Sequence, residues 1–193
     1  MKQYKVKIKA NPAYPFYMQH RMDDVSLEAW EKKRGKIIER SDISKEDQVR
    51  AEFHAYISAD GKFYIPAEHI RGSLIIAGHY MKAKVGNVRK NMSNIVAGMF
   101  YVSPDELPLK QDYLIDKRSA VNRNVKGRII SIRPKWKDWE TEFILEIDND
   151  TITPETIREL ITIAGNYVGI GSFRPDHKGQ FGRFIIESFE EII

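Results

Sequence analysis

Residues 2–9 put Tyr4, Val6 and Ile8 on one face of an extended chain and Lys5, Lys7 and Lys9 on the other. A period of two is the pattern of a strand with one side in a core and the other in water. Elsewhere the period changes to that of a helix. Pro66 suits the first turn of a helix running to about Met81, with Ile70, Leu74 and Ala77 on one face and Tyr80 and Met81 extending it. Thr153-Pro154-Glu155 opens a second helix through about Val168, with Ile157, Leu160, Ile161 and Ala164 inward. Residues 125–134 and 139–147 read as a strand pair joined by a short turn at KWKD, and RFIIESF closes as a strand. Without its other segments the chain runs strand, helix, strand, strand, helix, strand. A ferredoxin-like α+β fold, an antiparallel sheet with helices on one face, is the expected solution to that order. RNA-recognition folds share the plan and leave a sheet face open; order alone assigns no function.

The remaining segments elaborate this frame. Residues 11–24, NPAYPFYMQHRMDD, form an aromatic loop, and Ser26 is placed to cap a helix over LEAWEKKRGKII, followed by polar sequence. Phe53 to Pro66 reads as a hairpin turning at Asp60-Gly61. Residues 82–116 are expected as an insertion, and residues 169–183 as a glycine-rich loop, within a single domain spanning 1–193. With 3 Trp, 9 Tyr and 9 Phe and a hydrophobic fraction of 42%, the chain has ample material for a core. The absence of Cys removes disulfides, thiol nucleophiles and thiolate metal sites together and fits a reducing, cytoplasmic setting. The first ten residues lack the apolar run of a signal peptide, and no stretch reaches the ~18 apolar residues of a membrane span, so no membrane association is expected.

The net charge of +4 conceals an uneven distribution. Residues 1–81 carry 14 Lys and Arg against 11 Asp and Glu (+3), residues 82–137 carry 13 against 4 (+9), and residues 138–193 carry 4 against 12 (−8). Such asymmetry can steer a polyanion to one surface or dock copies of a chain head to tail; solvated faces that neutralise each other are the plain alternative.

Three constellations could carry chemistry. The 169–183 loop holds Gly169, Gly171, Gly179 and Gly182 around Arg174, His177 and Lys178, with Arg183 next and Gly165 before it. Glycines of this kind allow backbone amides to approach a phosphate, although a helix C-cap and a turn would also use them. The basic middle offers Lys82, Lys84, Arg89 and Lys90 among asparagines, then Lys117, Arg118, Arg123, Lys126, Arg128 and Arg133, cations suited to phosphates. Trp136 and Trp139 lie beside Arg133, Lys135 and Lys137, the pairing that binds single strands, unless the indoles serve the core. Finally, Arg71, Gly72 and Ser73 fall within the first two turns of the helix after Pro66, where a phosphate could meet amides and a cation. Enzyme signatures are sparse: the five histidines are scattered, no HExxH or GxSxG occurs, and His177 is the one weak catalytic candidate. No metal and no cofactor is expected.

The glycine-rich stretch G-I-G-S-F-R-P-D-H-K-G-Q-F-G-R-F before the last strand, together with I-P-A-E-H-I-R-G-S-L at a strand-to-helix junction, resembles the RAMP superfamily of CRISPR-associated proteins, in particular the backbone subunits of effector complexes. The chain is also similar, over nearly its full length, to small phage- and prophage-encoded proteins with a GxGxxRPxxGRF ending. The resemblance implies a non-catalytic protein that binds single-stranded RNA (or single-stranded DNA) and lines up along it as a homo-oligomer or ribonucleoprotein subunit. It assigns strand contacts to Arg71 and Ser73, a thumb to the segment after Lys82, and a nucleic-acid loop to Arg174–Arg183. Asp105, Asp112 and Asp116 are the nearest counterparts of the thumb aspartate of target-cleaving members. The alternatives are a metal-independent endoribonuclease using His177 or His69, and a phage assembly protein whose opposite charges join copies head to tail.

Overall fold

A computed structural model describes residues 1–21, 44–85, 88–122, 127–148 and 152–192. In chain order these form β1 (Lys2–Ala10), β2 (Phe16–Met18), α1 (Lys45–Phe53), β3 (Tyr64–Pro66) and α2 (Ala67–Ala77). Then come β4 (Lys82–Val85), β5 (Val88–Asn91), α3 (Met92–Met99), β6 (Phe100–Ser103), β7 (Glu106–Pro108) and β8 (Leu114–Asn122). The chain ends with β9 (Gly127–Lys137), β10 (Glu140–Ile147), α4 (Pro154–Ile163) and β11 (Phe184–Glu191). The result is a mixed α+β structure with antiparallel sheets.

The principal sheet has the order β11-β1-β10-β6. Its central strand is the alternating segment: Tyr4, Val6 and Ile8 are fully buried. They share a core with Phe143, Leu145 and Ile147 of β10, Ile70 and Leu74 of α2, and Ile157, Leu160 and Ile161 of α4. Burial of one large apolar side chain stabilises by about 1.5–3 kcal/mol, so these facing stripes, not helix propensity, hold α2 and α4 in place. On the same strands, Lys5 pairs with Glu142 at 3.1 Å, Lys7 with Glu140 and Glu187 at 3.2 and 2.8 Å, and Lys9 with Glu187 at 3.0 Å. The open face is thus a ladder of ion pairs, not a row of stacking aromatics.

A second sheet, β2-β9-β8, stands apart from the first. Here the expected pairing of 125–134 with 139–147 fails. β9 pairs with β8 and β2, and β10 pairs with β1 and β6. Both edges of β10 are occupied, and Asp138 between the strands turns the chain with φ 50°, its N–H donating to the Pro15 carbonyl at 2.8 Å. The segment 82–116 is likewise not an excursion throughout, because β6 within it pairs with β10 as an outer strand of the principal sheet. Within it β4 and β5 form a separate hairpin, and β7 pairs with β3.

Smaller differences have local causes. The 53–66 hairpin reduces to one bridge, Ile57 with Phe63, since Tyr64–Pro66 pairs with β7 instead. The polar segment before Phe53 is helical: the Ser44 hydroxyl accepts from the Asp47 N–H at 3.1 Å and caps α1. The aromatic loop contains β2. The helix expected after Ser26 lies outside the described residues. Among the described residues no helix is long and apolar enough to cross a membrane.

Candidate functional site

A cleft of about 310 Å³ opens between α2 and the 169–183 loop. α2 lines it with Glu68, His69, Gly72, Ser73 and Ile76, the Glu68 carboxylate being largely exposed, and the loop contributes the backbone from Gly169 to Ser172 with Arg174 and His177. His20, just beyond β2, completes the wall.

The loop is held there by β2. The Ser172 N–H donates to Met18 O and the Gly182 N–H to Phe16 O, both at 2.7 Å, so the short strand splints the loop at both ends. Gly171 and Gly182 make this possible. Each has φ near +70°, a Cβ on Gly171 would strike the Tyr17 ring and the Met18 carbonyl, and one on Gly182 would strike the Ile170 carbonyl. At both positions the missing Cβ makes room for neighbouring backbone and side chain of the protein itself. Phe173 and Phe181 clamp the loop from its other side, packing on each other at 5.4 Å with the Arg118 guanidinium over both rings at 4.9 and 5.1 Å.

Beneath the cleft lies an ordered relay. Gln19 donates from Nε2 to Tyr64 O at 2.7 Å and accepts from the Tyr56 N–H at 2.8 Å, which fixes the orientation of its amide. Its Nε2 also donates to the Tyr17 hydroxyl at 3.3 Å, and that hydroxyl shares a hydrogen bond with Nδ1 of His69, 3.3 Å away. Burial, with a smaller contribution from Arg174, lowers the His69 pKa to about 4. His20 is lowered to about 4 by burial first and then by Arg133 and His54. Burial raises the Tyr17 phenol. Both imidazoles are therefore neutral donors and acceptors near pH 7, and the cleft's positive charge comes from arginine.

Arg174 supplies that charge at the mouth. Its Nη1 donates to Gly171 O at 3.0 Å, while Nη2 lies 3.1 Å from His177 Nε2 and 3.4 Å from Asp176. His177 is 61% exposed. Lys178, with φ 62°, closes the short helical turn 175–177 and is exposed. Arg133 does not itself line the cleft, but it donates to the hydroxyl of Ser172, which does.

Other expected site residues fall elsewhere. Arg71 turns away from the cleft and donates to Ala97 O at 2.6 Å and Phe100 O at 3.3 Å, closing the C-terminal end of α3. Ser73, on the cleft wall, is itself buried, with its hydroxyl 3.5 Å from Ala164 O. Trp136 is fully buried among Tyr17, Phe63 and Tyr113, and its indole donates to Lys110 O at 3.0 Å. It is a core residue and offers no stacking surface; Trp139 is equally buried. Arg183 donates to Asn166 O and lies over the Tyr14 ring. Asp116 is buried between Arg118 and Lys135, the latter at 3.0 Å. Lys82 and Arg89 are exposed on the β4–β5 hairpin. Lys84 stands opposite Arg89 and Lys90 opposite Ala83 in its register. Arg128 stands opposite Val121 at the far end of the β8–β9 pair, and Arg123 and Lys126 lie outside the described residues.

Sequence spacing hid the meeting of His20, His69 and His177, three of the five histidines, because each comes from a different element. The one local signal was the position of His69, one helical turn ahead of Ser73 on the stripe that faces the loop. Among the described residues no group of three His, Asp or Glu is arranged to hold a metal ion. No protein-family model and no curated protein matches the chain.

Proposed function

We propose that this protein binds single-stranded nucleic acid, with RNA as the preferred class, and does not cleave it. The observation that carries the reading is the cleft at the loop, with Arg174 at its mouth and neutral His20 and His69 beside Glu68 along its wall, together with Lys82 and Arg89 exposed on a hairpin of the same chain. Arginine suits phosphate oxygens, and neutral imidazole N–H groups suit phosphate or ribose hydroxyls. The Lys–Glu ladder on the open sheet face makes that face the poorer candidate. The order β11-β1-β10-β6, with α2 between β1 and β6 and α4 between β10 and β11, supports a ferredoxin-like arrangement. With the loop motif, it supports a RAMP-type subunit that lines up along a strand in the cytoplasm of a phage- or prophage-bearing cell. Affinity for a single-stranded oligonucleotide should fall steeply with added salt. Arg174→Ala and Arg89→Ala should each weaken binding across sequences and flatten that salt dependence. Absence of binding to any single strand at low salt overturns the reading.

One contact favours a second reading, metal-independent RNA cleavage. His177 Nε2 lies beside the Arg174 guanidinium, a pairing that could move a proton and stabilise a phosphorane. Cleavage that survives chelator and is lost in His177→Ala would establish it. Assembly of nuclease-treated protein with no bound nucleic acid would instead favour a structural, head-to-tail role.

A further inference from the structure

Tyr80 and Tyr167 are 67% and 66% exposed, more than any other large apolar side chain among the described residues. Their ring centroids are 6.3 Å apart and their planes are inclined at 37°. A single exposed aromatic is ordinary. Two that meet from elements more than eighty residues apart call for a cause.

The backbone presents both rings deliberately. Tyr167 follows Leu160 by seven residues, which in an unbroken α-helix would put it about 20° from that buried leucine. Instead α4 passes into a π-helical turn over Ala164–Val168, closed by the Gly169 N–H on Ala164 O at 2.7 Å, and the under-rotation carries Tyr167 out to solvent. Tyr80 ends the 3₁₀ turn Gly78–Tyr80 that continues α2. Its partner Tyr167 precedes by two residues Gly169, which lines the cleft. From His69 to Tyr80 the rise is about 18 Å. Exposed Lys82 opens the basic hairpin two residues later. The tyrosine pair thus adjoins the cleft through Gly169 on one chain segment and the basic hairpin through Lys82 on the other.

We propose that Tyr80 and Tyr167 form a nucleobase subsite: one base of a strand whose phosphates occupy the cleft and the hairpin stacks on this pair. The inference rests on the single-strand reading above. Placement between Arg174 on one side and the exposed Lys82 and Arg89 on the other favours an anionic strand carrying flat π-faces over an apolar protein partner. A base sandwiched between two rings needs about 7 Å between parallel planes, so here the base lies on an outer ring face. Stacking of this kind tolerates any base.

The test compares full-length protein binding a fluorescein-labelled uridine oligoribonucleotide and an abasic strand of equal length and charge at fixed low salt. Wild type should prefer the base-bearing strand by roughly five- to a hundredfold. Y80A/Y167A should lose that preference while keeping the salt dependence and the thermal midpoint, and Y80F/Y167F should retain it. An unchanged preference in Y80A/Y167A, with wild-type binding intact, overturns the subsite and leaves the single-strand reading standing. Failure of wild type to bind either strand overturns both. Altered sedimentation of nucleic-acid-free Y80A/Y167A with the base preference intact would assign the tyrosines to a protein contact and also overturn the subsite.

Discussion

Arg71 and Gly182 show how a residue's neighbours decide its role. Arg71 stands at a helix start, a place suited to a cation that meets phosphate, yet its guanidinium closes the carbonyl end of α3. Arg71→Ala should therefore cost about 1–2 kcal/mol of stability in urea denaturation and leave oligonucleotide affinity unchanged, the reverse of Arg174→Ala. Gly182 has φ +70° and no room for a Cβ against the Ile170 carbonyl. Gly182→Ala should destabilise by more than ~2 kcal/mol in the same assay. The cluster of glycines was plain in the sequence, but its purpose was not, since only the packed partner reveals whether a missing Cβ makes space for protein or for ligand. Trp136 is a similar case: cations beside it in sequence pointed to the surface, while Tyr17, Phe63 and Tyr113, distant in sequence, enclose it.

At the scale of elements, the second sheet depends on charge as well as on apolar packing. β8 and β9 share Asp116, which accepts from Arg118 and from Lys135. Burial alone would raise its carboxyl, and those two hydrogen bonds outweigh burial and hold it below its ordinary value. Asp116→Asn would strand Lys135, only 18% exposed, without its counter-charge. A loss of about 2–4 kcal/mol in a thermal or urea melt is expected, with the glycine loop loosening because Arg118 also clamps Phe173 and Phe181. Local pattern located β1, α2, α4, β10 and β11 well because each has one buried stripe of regular period. It failed at the β9–β10 junction, where two good strands adjacent in sequence normally pair. Both edges of β10 were already taken, and the left-handed Asp138 sends the chain into another sheet.

Across the whole molecule, the buried imidazoles set a pH dependence. His69 and His20 titrate near 4 in the folded chain and near 6.5 when unfolded. Between those values the unfolded chain binds the extra protons, so stability should fall as pH drops from about 6.5 to about 4 and gain no further loss from these groups below. Burial of His69 suggests a decrease of roughly 2 kcal/mol or more over that window. Urea midpoints at stepped pH should show it, and Tyr17→Phe, which removes the hydrogen bond to Nδ1, should change its size. The sequence by itself determined which segments have one apolar face, where the cations and glycines concentrate, and that a mixed α+β chain results, because periodicity and composition are local properties. Only the tertiary structure decided that three histidines share a cleft with Arg174, that Arg71 and Trp136 serve the scaffold, and that Tyr80 meets Tyr167. Those outcomes depend on which distant backbone fills each position, and that is settled when the apolar stripes are buried together.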